Sequence, residues 1–413
     1  MRIAIVGSGV SGLVAARRLH PRHEIQVFEA DPRIGGHVHT VPLELAGERF
    51  SVDTGFIVYN ERTYPRFSQL LSELGVETQP CEMSFGVHCE RTGLEWASRG
   101  LGAVFAQRRN LLRPSFLRML RDVLRLNREL RQLAEQAEEK ASLADFVSGR
   151  GYSQELIEHY LVPMGAAIWS AAPGDFLRFP AATFARFFEN HGLLETSPRL
   201  GWRVVRGGSA RYLERLVAPF RDRIRVATPV AWIRRAPDAV EIATREGVER
   251  FDRVVLALHS DQALRLLRDP SGMERALLGA IAYQENEVVL HSDVSLLPRN
   301  ARAHASWNYR IPRAPQSRAL ISYDMNRLQQ IDSERRFLVT LNGSRQIDPE
   351  RVLRRFRYHH PVFDADALAA QQRRAEISGV RRTHYCGAYW GHGFHEDGVR
   401  SALEVCAELG VGA

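Results

Sequence analysis

A glycine signature within the first twelve residues limits what this chain can become. Residues 2–6, Arg-Ile-Ala-Ile-Val, are a short apolar run of the kind that makes a buried parallel strand, and they lead directly into Gly7-Ser8-Gly9-Val10-Ser11-Gly12. A G-x-G-x-x-G pattern by itself matches many turns, so its surroundings decide. Leu13–Leu19 predicts a helix, and Ile25-Gln26-Val27-Phe28 predicts a second strand that ends in Glu29. Strand, glycine turn, helix and strand together make the opening unit of a Rossmann-like α/β fold that binds a dinucleotide.

Each element has a physical task. Gly7 allows the tight turn, Gly9 lets backbone approach a pyrophosphate and Gly12 lets helix and strand pack closely, while the helix N-terminus through Val10 and Ser11 offers free N–H groups and a positive dipole end. Ser8 completes the loop. Glu29 falls where a carboxylate accepts hydrogen bonds from adenosine ribose hydroxyls, and it repels the 2′-phosphate of NADP. A second glycine pair follows in Ala30-Asp31-Pro32-Arg33-Ile34-Gly35-Gly36-His37, which points to FAD rather than NAD.

These residues resemble the superfamily of flavin amine oxidases, protoporphyrinogen oxidases and carotenoid desaturases, whose fingerprint continues from the strand-end Glu into R-x-G-G, here Arg33-Ile34-Gly35-Gly36. The resemblance runs on through Val52-Asp53-Thr54-Gly55-Phe56, Arg206-Gly207-Gly208-Ser209, Val254-Val255-Leu256-Ala257, Cys386-Gly387-Ala388 and Glu396-Asp397-Gly398-Val399-Arg400-Ser401. Gly393–Gly398, Gly-Phe-His-Glu-Asp-Gly, is similar to a bacterial subgroup associated with cyclopropane-fatty-acid-synthase-like lipid methyltransferases. The resemblance implies a GR2-type flavoprotein with non-covalent FAD. It implies an FAD domain of residues 1–75, 202–272 and 376–413, interleaved with an α+β substrate domain of residues 76–201 and 273–375. It further implies cofactor contacts from Gly55, Phe56, Ile57, Ala257, Gly387 and Ser401, adenine held by the Val230 backbone, and the amides of Asp397, Gly398 and Val399 at the flavin pyrimidine edge. Asp397 as a plain helix cap is the alternative.

Local pattern adds strands at 224–230 and 248–258, a strand ending His384-Tyr385-Cys386 and a helix over Val399–Leu409. Pro114–Glu139 reads as one long helix with Arg118, Arg121, Arg125 and Arg128 at spacings of three and four. Between Arg99 and Arg131 nine arginines face only Asp122 and Glu129, a local surplus of seven in a chain of net charge +8. Such a helix either rests on anionic lipid headgroups or shows a solvated basic face above a core-packing stripe. No nucleic-acid-binding motif accompanies the charge. Phe56–Asn60, Ile168–Ser170 and Ser306–Tyr309 are aromatic stretches that either line a pocket or pack in the core.

The four cysteines form no C-x-x-C pair, so neither a metal site nor a disulfide framework is expected. No apolar run approaches the roughly 18 residues of a membrane span. These features fit a cytoplasmic protein, peripheral at most to the inner membrane face.

A flavin oxidises by accepting hydride at N5, so the protein mainly positions a C–H bond. His395 and Glu396 are the candidate proton acceptors. Amine oxidases of the superfamily typically keep a lysine near N5, and the only lysine here is Lys140, which argues against ordinary amine oxidation. Ala388 also departs from relatives that carry Asp or Glu at this point. The expected activity is dehydrogenation or desaturation of a methylated or unsaturated acyl chain of membrane lipid. The alternatives are oxidation of a porphyrinogen, a carotenoid precursor or an amine, or a non-catalytic flavin-binding role beside a lipid methyltransferase.

Overall fold

The computed structural model describes residues 1–135, 141–170, 172–195, 201–314 and 317–412, apart from the side chain of Asp175. Two large sheets organise it. The first has five parallel strands in the order Ile224–Arg225, Glu24–Phe28, Arg2–Val6, Arg253–Leu256 and Thr383–Tyr385. Ile3, Ala4 and Ile5 are completely buried, because helices cover one face of this sheet and a three-stranded meander, Trp232–Phe251, helps cover the other. The second sheet has seven mixed strands, ordered Val352–Val362, Ala282–His291, Leu338–Leu341, Leu320–Asp324, Trp307–Ile311, Phe85–Cys89 and Leu94–Ala97. Helices between residues 101 and 190 pack on it and form the largest core cluster, rich in Phe, Leu and Trp.

Several expected elements change at their edges. The strand expected over 224–230 stops after Arg225: Ala227 takes φ +50° and donates its N–H to Asp31 O, and Thr228 N–H bonds Glu29 O, so the chain wraps over the sheet end. The stretch 248–258 is two strands, Gly247–Phe251 in the meander and Arg253–Leu256 in the parallel sheet, parted at Asp252. Asp252 accepts the Arg2 N–H at 2.7 Å and so anchors the first strand. The last helix begins at His395, four residues before the expected start, and runs to Glu408. The arginine-rich helix spans Pro114–Ala134, and residues 136–140, including Lys140, lie outside the described residues. Among the described residues no helix is long and apolar enough to cross a membrane.

A buried carboxylate joins distant motifs. Asp53 accepts hydrogen bonds from Ser209 N (3.0 Å), Ser209 Oγ (3.1 Å), Thr40 Oγ1 (2.5 Å) and Gln329 Nε2 (3.2 Å). The loop Arg206–Ser209 is thereby locked onto Val52–Phe56, with Gln329 reaching in from beside the second sheet. Burial pushes the Asp53 carboxyl up to about 6 despite these donors.

Candidate functional site

A cavity of about 540 Å³ opens at the carboxyl ends of the parallel strands. The first strand delivers Gly7-Ser8-Gly9 to its floor. Gly7 holds φ +102°, and an added Cβ would stand 2.4 Å from Ala257 O; one on Gly12 would stand 2.1 Å from Gly7 O. These two positions therefore need glycine, the first for its backbone angle and the second for helix-to-strand approach. Gly9 differs: a Cβ there would meet nothing within 4 Å, so the space beside it is kept open for a ligand. The helix Val10–Leu19 that follows has no side-chain cap on its first amides, the arrangement that receives phosphate.

Glu29 stands at the end of the second strand. Its Oε2 accepts from Ser8 N at 2.9 Å and Ser8 Oγ at 2.5 Å, and its Oε1 accepts from Asp31 N at 2.9 Å. A carboxylate has about four acceptor positions, so room remains for ribose hydroxyls. Thr228, Pro229 and Val230 form the adjacent wall. Arg33 donates to Gly36 O at 2.8 Å and fixes the second glycine turn, where Gly35 N bonds Ser8 O.

The cavity continues between Phe56, Ala257, Gly387, Ala388 and Tyr389 on the parallel-sheet side and Tyr358, His359 and His360 of the strand Val352–Val362. A cluster of imidazoles gathers here. The His37 ring lies 5.5 Å from His259, 5.2 Å from Tyr358 and 5.6 Å from His360, and His259 stacks on Tyr283 at 4.4 Å. Asn286 Nδ2 meets His360 Nδ1 at 2.9 Å, and Tyr358 OH bonds both Thr54 Oγ1 and His39 Nδ1 at 2.8 Å. Burial, reinforced by neighbouring imidazoles, pulls His37 and His360 down to about 3 and His259 to about 4, so all three are neutral near pH 7. His37 Nε2 is buried without a hydrogen-bond partner, a donor or acceptor left for a bound molecule.

Of the residues singled out from sequence, the cavity wall brings together Gly7, Ser8, Gly9, Val10, Ser11, Glu29, Ala30, Arg33, Gly35, Gly36, His37, Phe56, Val230, Ala257 and Gly387. Others stand behind it. Gly55 packs against the His37 carbonyl, and Ile57 turns toward the second core. Ser401 Oγ accepts from Gly387 N at 3.0 Å and so holds the C-terminal loop from below. The expected amides at Gly398 and Val399 are not free: the helix starts at His395, so Gly398 N is already bonded to Phe394 O. Gly398 instead lets this helix meet the first one, since a Cβ there would lie 2.7 Å from Val10 Cγ1. Asp397 acts as the helix cap, accepting from Phe394 N at 3.1 Å and pairing with Arg400 at 3.2 Å.

The two expected proton acceptors do not reach the cavity wall either. Glu396 accepts from Phe67 N at 2.9 Å and Arg66 N at 3.3 Å, capping the helix Pro65–Glu73. His395 is buried, stacked on Phe67 at 4.2 Å, and edges Phe56 and Tyr212. Burial pulls its imidazole down to about 3. Neither has a geometry for proton transfer in the cavity. Of the aromatic stretches, only Phe56 lines the wall; Tyr59, Trp169 and Tyr309 are core. The imidazoles His259, His359 and His360 and the phenols Tyr283 and Tyr358 escaped the sequence reading, because they come from three separate strand or loop segments with no local motif.

The open cradle at Gly9, the uncapped helix, the strand-end Glu29 and the unpartnered His37 fit an elongated dinucleotide such as FAD. Residues 10–410 match the family model described as flavin containing amine oxidoreductase. No curated protein matches the chain. Among solved structures, putrescine oxidase bound to putrescine is similar, with 16% identity, 99% of each chain covered and a TM-score of 0.69. Cyclohexylamine oxidase from Brevibacterium oxydans IH-35A gives 17%, 99% of each chain and 0.67. A CLA-producing fatty acid isomerase from P. acnes gives 15%, 98% of each chain and 0.71. At these identities the likenesses establish the fold, while the match over nearly the whole chain establishes kinship: the protein belongs to the flavin containing amine oxidoreductase family and is an FAD-dependent oxidoreductase.

Proposed function

We propose that the protein dehydrogenates a methylated or unsaturated fatty acyl chain of membrane lipid, forming a carbon–carbon double bond. The observation that carries this reading is the charge of the cavity wall. Among the described residues its only carboxylates are Glu29 and Asp31, both in the segment that meets Thr228. The remainder is glycine, apolar and aromatic groups, neutral imidazoles and the cations Arg33, Arg265 and Arg357. Among the described residues no other carboxylate and no lysine lines the wall where His37, His259 and His360 gather, and Glu285, which faces His359, stands outside that lining. A neutral hydrocarbon suits that environment.

Bound FAD supplies the two-electron acceptor that takes hydride from the substrate. The chain's residues do the rest. The glycine turn and first helix would hold the pyrophosphate, and Glu29 would orient the ribose. Forming the double bond also releases a proton; within the imidazole group His37, His259 and His360, held at about 3 to 4, are poor acceptors near pH 7. Its outermost member, His359, is solvent-exposed and faces Glu285 at 3.6 Å, a route outward. The fold shared with a fatty acid isomerase and the resemblance of Gly393–Gly398 to a subgroup associated with lipid methyltransferases support an acyl-chain substrate. A methyltransferase acting on the same chains is the partner this reading implies.

The test is the absorbance of the purified protein during anaerobic addition of phospholipids with methylated or unsaturated chains, and separately of putrescine. Bleaching of the flavin band by lipid alone is expected. Bleaching by the diamine would overturn the reading, and a bound flavin that no lipid bleaches would favour the accessory role.

A further inference from the structure

The outer face of the arginine-rich helix is not a plain solvated surface. Pro114–Ala134 buries Phe116, Met119, Leu126, Leu130 and Leu133 against the second core. At about 100° per residue, positions 117, 121, 124 and 128 fall on a single stripe opposite that buried face. The stripe reads Leu, Arg, Leu, Arg, and Leu117 and Leu124 are 42% and 58% exposed. The turn Arg108–Leu112 leading into the helix adds Leu111 and Leu112, the latter 88% exposed.

The arginines differ in how far they are committed. Arg125 bonds Glu129 and Arg150 O, both at 2.8 Å, and lies over the Tyr152 ring, so it belongs to the protein surface itself. Arg118 faces Glu155 at 3.8 Å. Arg108 and Arg128 have no ion-pair partner among the described residues, and Arg121 pairs with Asp122 at 3.6 Å while 76% of its side chain stays exposed. A solvated basic face has no use for leucines between its cations. Leucines and uncommitted guanidinium groups side by side match a bilayer interface, where side chains enter the acyl boundary while cations meet phosphates.

We propose that Leu111, Leu112, Leu117, Arg121, Leu124 and Arg128 form a surface that docks the protein on an anionic phospholipid bilayer. Arg99, Arg118, Arg125 and Arg131 are paired with Glu82, Glu155, Glu129 and Glu189, so the complementary potential comes from Arg108, Arg121 and Arg128. This inference does not rest on the acyl-chain reading, because the bilayer is bound as a surface whatever the cavity oxidises.

Sedimentation with phosphatidylcholine vesicles, with and without phosphatidylglycerol and at low and high salt, tests it on the flavin-loaded full chain. Binding is expected only with phosphatidylglycerol, and it weakens as salt rises. R121Q/R128Q should weaken it by about five-fold per arginine. L112S/L117S/L124S should weaken it by about ten-fold or more, since leucine burial in the interface is lost. All five positions are solvent-exposed, so flavin content and circular dichroism should match the parent. No binding to anionic vesicles at low salt overturns the proposal. So does a leucine variant that binds as tightly as the parent, which would mark a general polyanion surface; binding of an RNA oligonucleotide undiminished in that variant would identify it.

Discussion

His395→Phe separates a structural imidazole from a catalytic one. The ring is buried and stacked on Phe67, and its Nε2 has no hydrogen-bond partner, so phenylalanine preserves the packing and removes an unsatisfied polar atom. The imidazole's folded value of about 3 lies below the ordinary 6.5, which means the native state holds it neutral. Its contribution to stability is therefore complete above pH 6.5 and is lost as pH falls toward 3. At pH 5, about 1.5 units below 6.5, the loss is about 2 kcal/mol. His191 and His291, also buried and both pulled down to about 4 chiefly by burial, add similar amounts. Urea denaturation followed by circular dichroism at pH 7.5 and pH 5 should show about 2 kcal/mol less acid loss in H395F than in the parent. Equal losses would refute the buried-neutral assignment. Intact flavin with abolished substrate bleaching would refute the structural one.

Other expectations follow from the same geometry. G12A places a methyl 2.1 Å from Gly7 O and should weaken FAD binding at least ten-fold, measured by flavin retained per folded protein. E274Q breaks a buried pair with Arg235 (2.7 Å) and weakens the bond from Tyr385 OH (2.6 Å), for a stability loss of about 3 kcal/mol by denaturation. D53N should steepen the acid loss: the parent Asp53, raised to about 6 from an ordinary 3.9 or so, gains stability as pH falls through this range, and the amide cannot. Comparing D53N with the parent at pH 7.5 and 5 checks the sign.

The cofactor half of the site was legible because its chemistry is local. Gly7, Gly9, Gly12 and Glu29 lie within one βαβ unit, where spacing along the chain determines spacing in space. The reading failed where meaning depended on distant partners. His359 and His360 sit in an eleven-residue strand whose pattern says nothing of His37 some 320 positions earlier. His395 and Glu396 looked reactive only because a loop was expected there; the helix begins at His395 and turns both toward Phe67. Strand character on both sides likewise concealed the break at Asp252, which is set by its bond to the first strand. The basic helix was visible in outline, but which arginines are already committed depends on Glu129, Arg150 and Tyr152.

The order of strands in the parallel sheet has a consequence for synthesis. The central strand Arg2–Val6 is synthesised well before its neighbour on one side, Arg253–Leu256, and Thr383–Tyr385, later still, closes the sheet beyond that. The helix packed behind the glycine turn, His395–Glu408, comes later again. No nascent chain that stops before Glu408 contains a finished dinucleotide cradle. Its apolar strand Arg2–Val6 must wait with one edge unpaired, so flavin capture follows synthesis of these later segments, and the interval before it is when this protein is most exposed to aggregation and to chaperones.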